Sequence, residues 1–406
     1  MPVVTNLDHH QPFPWLANIL WPDHAADIGP HGTSRPRWWA SPSAADPRIL
    51  IPADAPAAAR TAVRRYHDGF DTRRRLRSLA AETVLRVPPL ARAVLDRNRV
   101  AVAHPGHDLQ GVIDGIAEVM GIDDLEVAIG LSVPKSNRKP VLQLLDRSGR
   151  CHGWAKVAWN DRVDRLVGNE AAWLGVDAVA PVTKPDLLHD VDIEGRRVVI
   201  ATGATPSRLP RRHRHRPPAP EVFVAVSAMG TPAALSIKES PWWRSVEAVV
   251  DHATPRERLA MQTAIEGCYR HRFRVGAWHG DLTPWNLMSV GGRPHLIDWE
   301  FAADGVPLGF DVCHFHTQVA AEQRGLDAAA AIDFSARLSP HGLARIGVQP
   351  ENRTAVWRLY LVELVRRQVA LRAAGHPEDD VTFGPAALHR LERSQGTSNS
   401  TVRSGS

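Results

Sequence analysis

The spacing of apolar positions changes at about residue 125. Leu125-Glu-Val-Ala-Ile-Gly-Leu131 reads as a strand, Ser132-Val-Pro-Lys-Ser-Asn-Arg-Lys-Pro140 as a polar loop, and Val141-Leu-Gln-Leu-Leu-Asp146 as a second strand. Arg147-Ser-Gly149 is a turn signal and Cys151–Trp159 a third strand, so this stretch predicts an antiparallel meander. A helix is expected to follow, capped by Asn160 or Asp161. Val163, Leu166, Val167 and Leu174 form one apolar stripe along it, and Glu170 falls on the same stripe. Val198-Val-Ile-Ala-Thr202 predicts a further buried strand. From about 240 to 390 the pattern is mostly helical, broken by a loop and a hairpin within 276–298. Met261, Ile265 and Cys268, like Leu361, Leu364 and Val365, take core spacings.

The first 120 residues are less regular. Residues 1–45 keep no period, Arg48–Pro52 reads as a short strand, and the Ala/Arg/Leu-rich stretch from Pro56 to about Arg86 favours helix. Pro88-Pro89 is expected to end that helix, with two more helical stretches near 90–98 and 108–120. The polar stretch 393–406 reads as a disordered tail. The expected organisation is an N-terminal α/β extension (1–120), a small lobe (121–205), a basic Pro/Arg-rich linker (206–220), a mainly helical lobe (221–392) and the tail.

Composition narrows the class. A length of 406 residues fits two or three domains, and 44% hydrophobic with 23% charged residues excludes a mostly disordered or fibrous chain. The cysteines are Cys151, Cys268 and Cys313, with no CxxC pair, which argues against a disulfide framework or zinc ribbon and for a reducing compartment. There is no signal-like start and no apolar run of about 18 residues, so the expectation is a soluble, cytoplasmic protein without membrane partners. Net charge is +5, with 30 basic and 24 acidic residues in 1–220 against 18 and 20 in 221–395. The basic run Arg208–Arg216 lacks interleaved aromatic residues that would stack on bases, so a solvated loop is expected there and no nucleic-acid partner. Retention of nucleic acid by this run stays a minor alternative.

Candidate chemistry begins with Lys156, the only charge in Trp154-Ala-Lys-Val-Ala-Trp159. A core-facing lysine needs a partner, and Glu170 on the core face of the next helix offers one. Such a pair is either structural or holds the ammonium within reach of phosphate oxygens. The loop after the first strand offers Ser132, Lys135, Ser136 and Lys139 as donors to a nucleotide, or is a plain hairpin connection. Neither GxGxxG nor GxxxxGK[ST] occurs.

The strongest signal is Trp278-His-Gly-Asp-Leu-Thr-Pro-Trp-Asn286, followed by Leu287–Val290, Gly291-Gly292 and Arg293–Asp298. Pairing across the two glycines sets Val290 opposite Arg293 and Asn286 opposite Ile297. The amide of Asn286 and the carboxylate of Asp298 then reach the same end, provided the pairing ends or bulges there. Two hard oxygen donors with open positions suit Mg²⁺ shared with phosphates. Asp281 precedes Asn286 by five residues, the D-x-x-x-x-N spacing of a kinase catalytic loop, where the carboxylate can deprotonate an acceptor hydroxyl. Chance would produce H-G-D-x-x-P-x-N in such a chain on the order of once in ten thousand.

The order of lysine strand, glutamate helix, HGDLTPWN and IDWE resembles the aminoglycoside phosphotransferase and choline kinase-like families of the protein kinase-like fold, over roughly residues 125–390. That resemblance implies an α+β bilobal fold, with a small antiparallel-sheet N-lobe and a mainly helical C-lobe. It implies that Lys156 contacts ATP phosphates, Glu170 holds Lys156, Asp281 is the catalytic base, and Asn286 and Asp298 bind Mg²⁺. His279 would shape the loop, and Asp311 in Gly305-Val-Pro-Leu-Gly-Phe-Asp311 would brace it. Glu300 is either a further metal contact or an exposed acid. The expected activity is ATP-dependent phosphorylation of a hydroxyl on a small molecule: a sugar, amino sugar or amino alcohol, with an aminoglycoside also possible. The alternative is a pseudokinase or nucleotide-binding interaction module. Cys313-His-Phe-His316 has no second ligand cluster, so its histidines are expected to be packed rather than to hold zinc.

Overall fold

A computed structural model of the chain describes residues 11–22, 27–29, 34–66, 82–103, 111–132, 135, 137–204, 216–376 and 383–402. Contacts divide the chain into two compact units, Met1–Gly175 with Pro185–Pro206, and Val176–Lys184 with Ser207–Ser406.

In the first unit the expected meander is present as β5 (Glu126–Leu131), β6 (Pro140–Leu145) and β7 (Cys151–Val157), with Ile129 opposite Leu142 and Val141 opposite Lys156. It is the middle of a larger sheet. The N-terminal strands β1 (Asp27–Gly29), β2 (Ser34–Pro42), β3 (Pro47–Pro52) and β4 (Arg99–Ala103) join it, as do β8 (Leu187–Ile193) and β9 (Arg196–Ala201). The order is β1-β4-β2-β3-β5-β6-β7-β9-β8, antiparallel throughout. Strand β3 pairs directly with β5, setting Leu50 opposite Ile129. The strands described among the first 120 residues therefore extend the small lobe's own sheet.

The reason lies in the two apolar faces of the strands. Trp38 and Leu50 join one core, whereas their neighbours Trp39, Ile49 and Ile51 join the other, as period-two side-chain alternation requires. Helices Pro12–Leu20, Val112–Met120 and Asp161–Leu174 contribute buried residues to the first core, and Pro56–Tyr66 and Pro88–Leu95 to the second. A sheet apolar on both sides needs cover on both, and β3 occupies an edge of β5 that a three-stranded meander would leave open.

Local differences from the sequence expectations have local causes. The helix from Pro56 is described to Tyr66, and residues 67–81 lie outside the described residues. The helical residues 82–85 end just before Pro88, as expected, and Pro88 itself opens the next helix, because proline's fixed φ and missing N–H suit the first helical turn. Strand β8 was not anticipated; its half-exposed edge position gives it no continuous apolar run. Asn160 caps Asp161–Leu174 as expected, accepting from the Val163 amide at 2.8 Å.

The second unit holds helices Pro220–Ala228, Pro241–Val250, Pro255–Glu266, Phe310–Gln318, Ala328–Arg345, Pro350–Ala373 and Gly384–Val402. It also has a three-stranded sheet, β10 (Ala233–Ser236), β11 (Arg272–Trp278) and β14 (Ala303–Pro307), and the hairpin β12 (Leu287–Val290) and β13 (Arg293–Leu296). That sheet was missed because its strands are short and distant in sequence. The last helix continues past residue 393, into the expected disordered tail. Ala387, Leu388 and Leu391 bury its first half, and elongation from a packed nucleus costs little. Most of the basic run, 208–215, lies outside the described residues. Among the described residues no helix is long and apolar enough to cross a membrane.

Asn160→Ala is expected to lower stability by about 1 kcal/mol through loss of the cap, measured by urea unfolding, with Asn160→Asp retaining most of it.

Candidate active site

In the first unit Lys156 Nζ lies 2.5 Å from Glu170 Oε2, with side chains 16% and 7% exposed. The helix stripe that buries Val163, Val167 and Leu174 also carries Glu170 inward. Ser132 is exposed just past β5, and Lys139 is buried. Ser136 lies outside the described residues.

In the second unit, β11 ends at Trp278 and the chain turns through His279, Gly280 and Asp281. The turn leaves two amides without a strand partner, and Asp311 accepts both, from His279 N at 2.8 Å and Gly280 N at 3.2 Å. Burial pushes the Asp311 carboxyl above its usual range, opposed by His279 and these amides. Gly280 has φ +78°, and a Cβ there would strike the Phe301 carbonyl. His279 is buried, and desolvation pulls its pKa down toward a neutral ring. Its Nε2 donates to the Ile297 carbonyl at 3.0 Å, and its Nδ1 accepts from the Asp281 amide at 3.3 Å. The imidazole thus ties the turn to the end of the hairpin, as the resemblance implied.

The Asp281 side chain is held at both oxygens. Asn286 Nδ2 donates to Oδ2 at 2.9 Å and to the Asp281 carbonyl at 2.9 Å. His314 Nε2 lies 3.0 Å from Oδ1. The hairpin has the expected register, Val290 opposite Arg293 and Leu287 opposite Leu296, and Ile297 N donates to the Asn286 carbonyl at 3.0 Å. Strand alternation breaks at Asp298, whose φ of +69° turns the backbone left-handed. Glu300 is buried, 4% exposed, which removes the exposed-acid alternative. One of its carboxylate oxygens lies within 4.8 Å of one from Asp298.

Helix Pro350–Ala373 supplies a second layer. Arg367 donates to the Gly280 carbonyl at 3.0 Å and sits 4.7 Å from the Trp278 ring centroid and 5.4 Å from that of Phe301. Glu363, 1% exposed, accepts from Arg367 at 2.8 Å, Arg366 at 2.6 Å and Trp242 Nε1 at 2.9 Å. Burial alone would raise its pKa, but Arg366 and Arg367 outweigh that and hold it at about 2.

Sequence reasoning missed His314, Tyr360, Glu363 and Arg367. The last three fall at i, i+3 and i+7 of one helix face, among the buried apolar residues of that helix. That spacing was the available signal, but nothing in it names partners 46 to 121 residues away.

No protein-family model and no curated protein matches the chain. Solved structures do. A thermostable mutant of an aminoglycoside phosphotransferase, in ternary complex with AMP-PNP and hygromycin B, is 16% identical over 70% of this chain and 98% of its own, with TM-score 0.47. A GDP complex of an aminoglycoside 2′-phosphotransferase-IIIa mutant is 14% identical over 70% and 97%, with TM-score 0.45. A Plasmodium vivax ethanolamine kinase is 11% identical over 68% and 85%, with TM-score 0.43.

The depressed Glu363 pKa stabilises the fold above the unfolded value of 4.5, and this contribution is lost as pH falls from there toward 2. Glu363→Gln should therefore destabilise at pH 7 by about 3 kcal/mol. The gap to wild type should narrow on acidification through that window, measured by denaturant unfolding at each pH.

Proposed function

We propose that the chain is an ATP- and Mg²⁺-dependent phosphotransferase that moves the γ-phosphoryl group to a hydroxyl of a small molecule. The observation that carries this reading is the Asp281 carboxylate, fixed at both oxygens five residues before Asn286, with the hairpin returning Asp298 beside Asn286's strand partner.

The donor set fits a hard divalent cation. Asn286 commits its amide nitrogen to Asp281, so the oxygen is the atom it can offer. Asp298 and Glu300 add carboxylates, and no nitrogen or sulfur donor is part of the set. Bound by these oxygens, Mg²⁺ would neutralise charge on the nucleotide phosphates. In the first unit Lys156, held by Glu170, is the positive charge that would contact nucleotide phosphates. Ser132 at the end of β5 offers a hydroxyl to the nucleotide.

Asp281 orients the acceptor hydroxyl and takes its proton as the oxygen bonds to the γ-phosphorus and the bond to the ADP oxygen breaks. Proton transfer to a positioned carboxylate contributes about 10²–10⁴-fold in rate. The second lobe's near-balance of 18 basic and 20 acidic residues favours a neutral or singly charged acceptor, such as a sugar, amino sugar or amino alcohol, over a polycation.

Asp281→Asn should cut phosphoryl transfer by about 10²–10⁴-fold while nucleotide binding persists, measured by γ-phosphate transfer and nucleotide titration. ATP with Mg²⁺ should raise the unfolding temperature of wild type, with about 2.7 kcal/mol of stabilisation at a hundredfold excess over Kd. EDTA or Asp298→Ala should remove most of that shift, and a full shift in either would remove the metal assignment.

A further inference from the structure

Helix Phe310–Gln318 presents two polar side chains one turn apart to the same loop. Asp311 takes the backbone amides of His279 and Gly280, and His314 takes the side chain of Asp281. His314 is 4% exposed, so its ring is not placed to meet a substrate from solvent. Its Nε2 contacts Asp281 Oδ1 at 3.0 Å, and an ionised carboxylate can only accept, so Nε2 carries a proton. Gln318 Nε2, at 3.5 Å from the same nitrogen, is the weaker neighbour. On the other side Nδ1 lies 3.2 Å from the Tyr360 hydroxyl. Tyr360 is fully buried, burial pushes its phenol above the usual range, and its hydroxyl is shared between His314 Nδ1 and the Thr317 hydroxyl. Phe310 packs on the Tyr360 ring with centroids 6.0 Å apart, fixing this end of the chain of contacts.

We propose that His314, oriented by Tyr360, is a positioning residue for phosphoryl transfer: it donates to Asp281 Oδ1 and fixes the carboxylate rotamer that receives the acceptor's proton. This inference rests on the phosphotransferase reading. Asn286 alone leaves Asp281 one restraint, on Oδ2, about which the carboxylate can still turn. The second hydrogen bond, from a residue anchored on a different element, removes that freedom. A base misplaced by about 1 Å can lose 10²-fold in rate, so the contribution should appear in turnover rather than in nucleotide affinity.

The test uses the full chain and Mg·ATP with water as the phosphoryl acceptor, following phosphate release. Wild type, Asp281→Asn, His314→Leu, His314→Gln and Tyr360→Phe are compared, with unfolding temperatures recorded for each. His314→Leu should lower kcat by about tenfold to a hundredfold with the ATP KM within twofold of wild type. His314→Gln, whose amide can donate from near the Nε2 position, should recover most of the loss, and Tyr360→Phe should fall between. Two-dimensional ¹⁵N spectra of the histidine rings should show a protonated Nε2 at His314. Wild-type turnover with unchanged kcat in His314→Leu, or an unprotonated Nε2, would overturn the positioning role while leaving the phosphotransferase reading intact. Absence of Asp281-dependent turnover in wild type with water and with a panel of sugars, amino sugars and amino alcohols as acceptors would overturn the phosphotransferase reading itself, and this inference with it. A fall in His314→Leu that Gln does not rescue, with KM rising in step, would reduce His314 to a packing residue.

Discussion

Two backbone amides leave the end of β11 with no strand to pair with, and Asp311 is the group that satisfies them. A buried carboxylate and two orphaned N–H donors are each costly alone, and together they cancel much of that cost. The turn through Gly280 can be sharp only because this acceptor waits beneath it. The turn in turn sets where Asp281 starts, and at Gly280 the Phe301 carbonyl leaves no room for a side chain while the positive φ favours glycine. The geometry of the candidate base, its hydrogen bonds to Asn286 and His314, and the approach of the hairpin all descend from that one contact.

Around it the second unit uses buried charge for placement more than for stability. Glu363 with Arg366 and Arg367 is a desolvated ion cluster, and such clusters often stabilise no more than apolar packing would. What the cluster gives is direction: Arg367 reaches the Gly280 carbonyl from one side and lies over the Trp278 and Phe301 rings. The loop is thus gripped at its amides by Asp311 and at its carbonyl by Arg367. Rigid support of this kind is what a reaction governed by positioning and charge neutralisation requires.

The first unit solves a different problem. Its sheet is apolar on both faces, and the N-terminal residues supply both extra strands and covering helices. Trp15 of helix Pro12–Leu20 packs edge-on against Trp159 at a centroid distance of 6.0 Å and lies 4.5 Å from the Arg138 guanidinium. Trp159 Nε1 in turn donates to the Arg138 carbonyl at 2.6 Å. The N-terminal helix therefore packs into the same core as the strand carrying Lys156, and against the loop that precedes β6.

Local periodicity and motif spacing carried a great deal. The β5–β7 meander, the Asn160 cap, the inward Glu170 and the register of the β12–β13 hairpin were legible because each depends on residues within about 20 positions of one another. The HGDLTPWN segment stood out as the candidate catalytic loop for the same reason. Pairings that close over long sequence distances were not legible: β3 with β5, β11 with β14, and Asp281 with His314. His314 read as packed because no second ligand cluster accompanies it, and it is packed, yet the helix turns its polar edge onto a carboxylate 33 residues earlier. Sequence by itself determined which groups could do chemistry and how the nearest of them are spaced. Only the tertiary structure decided which distant side chains hold them, because hydrogen-bond partners are chosen by proximity in space, and no local period encodes that.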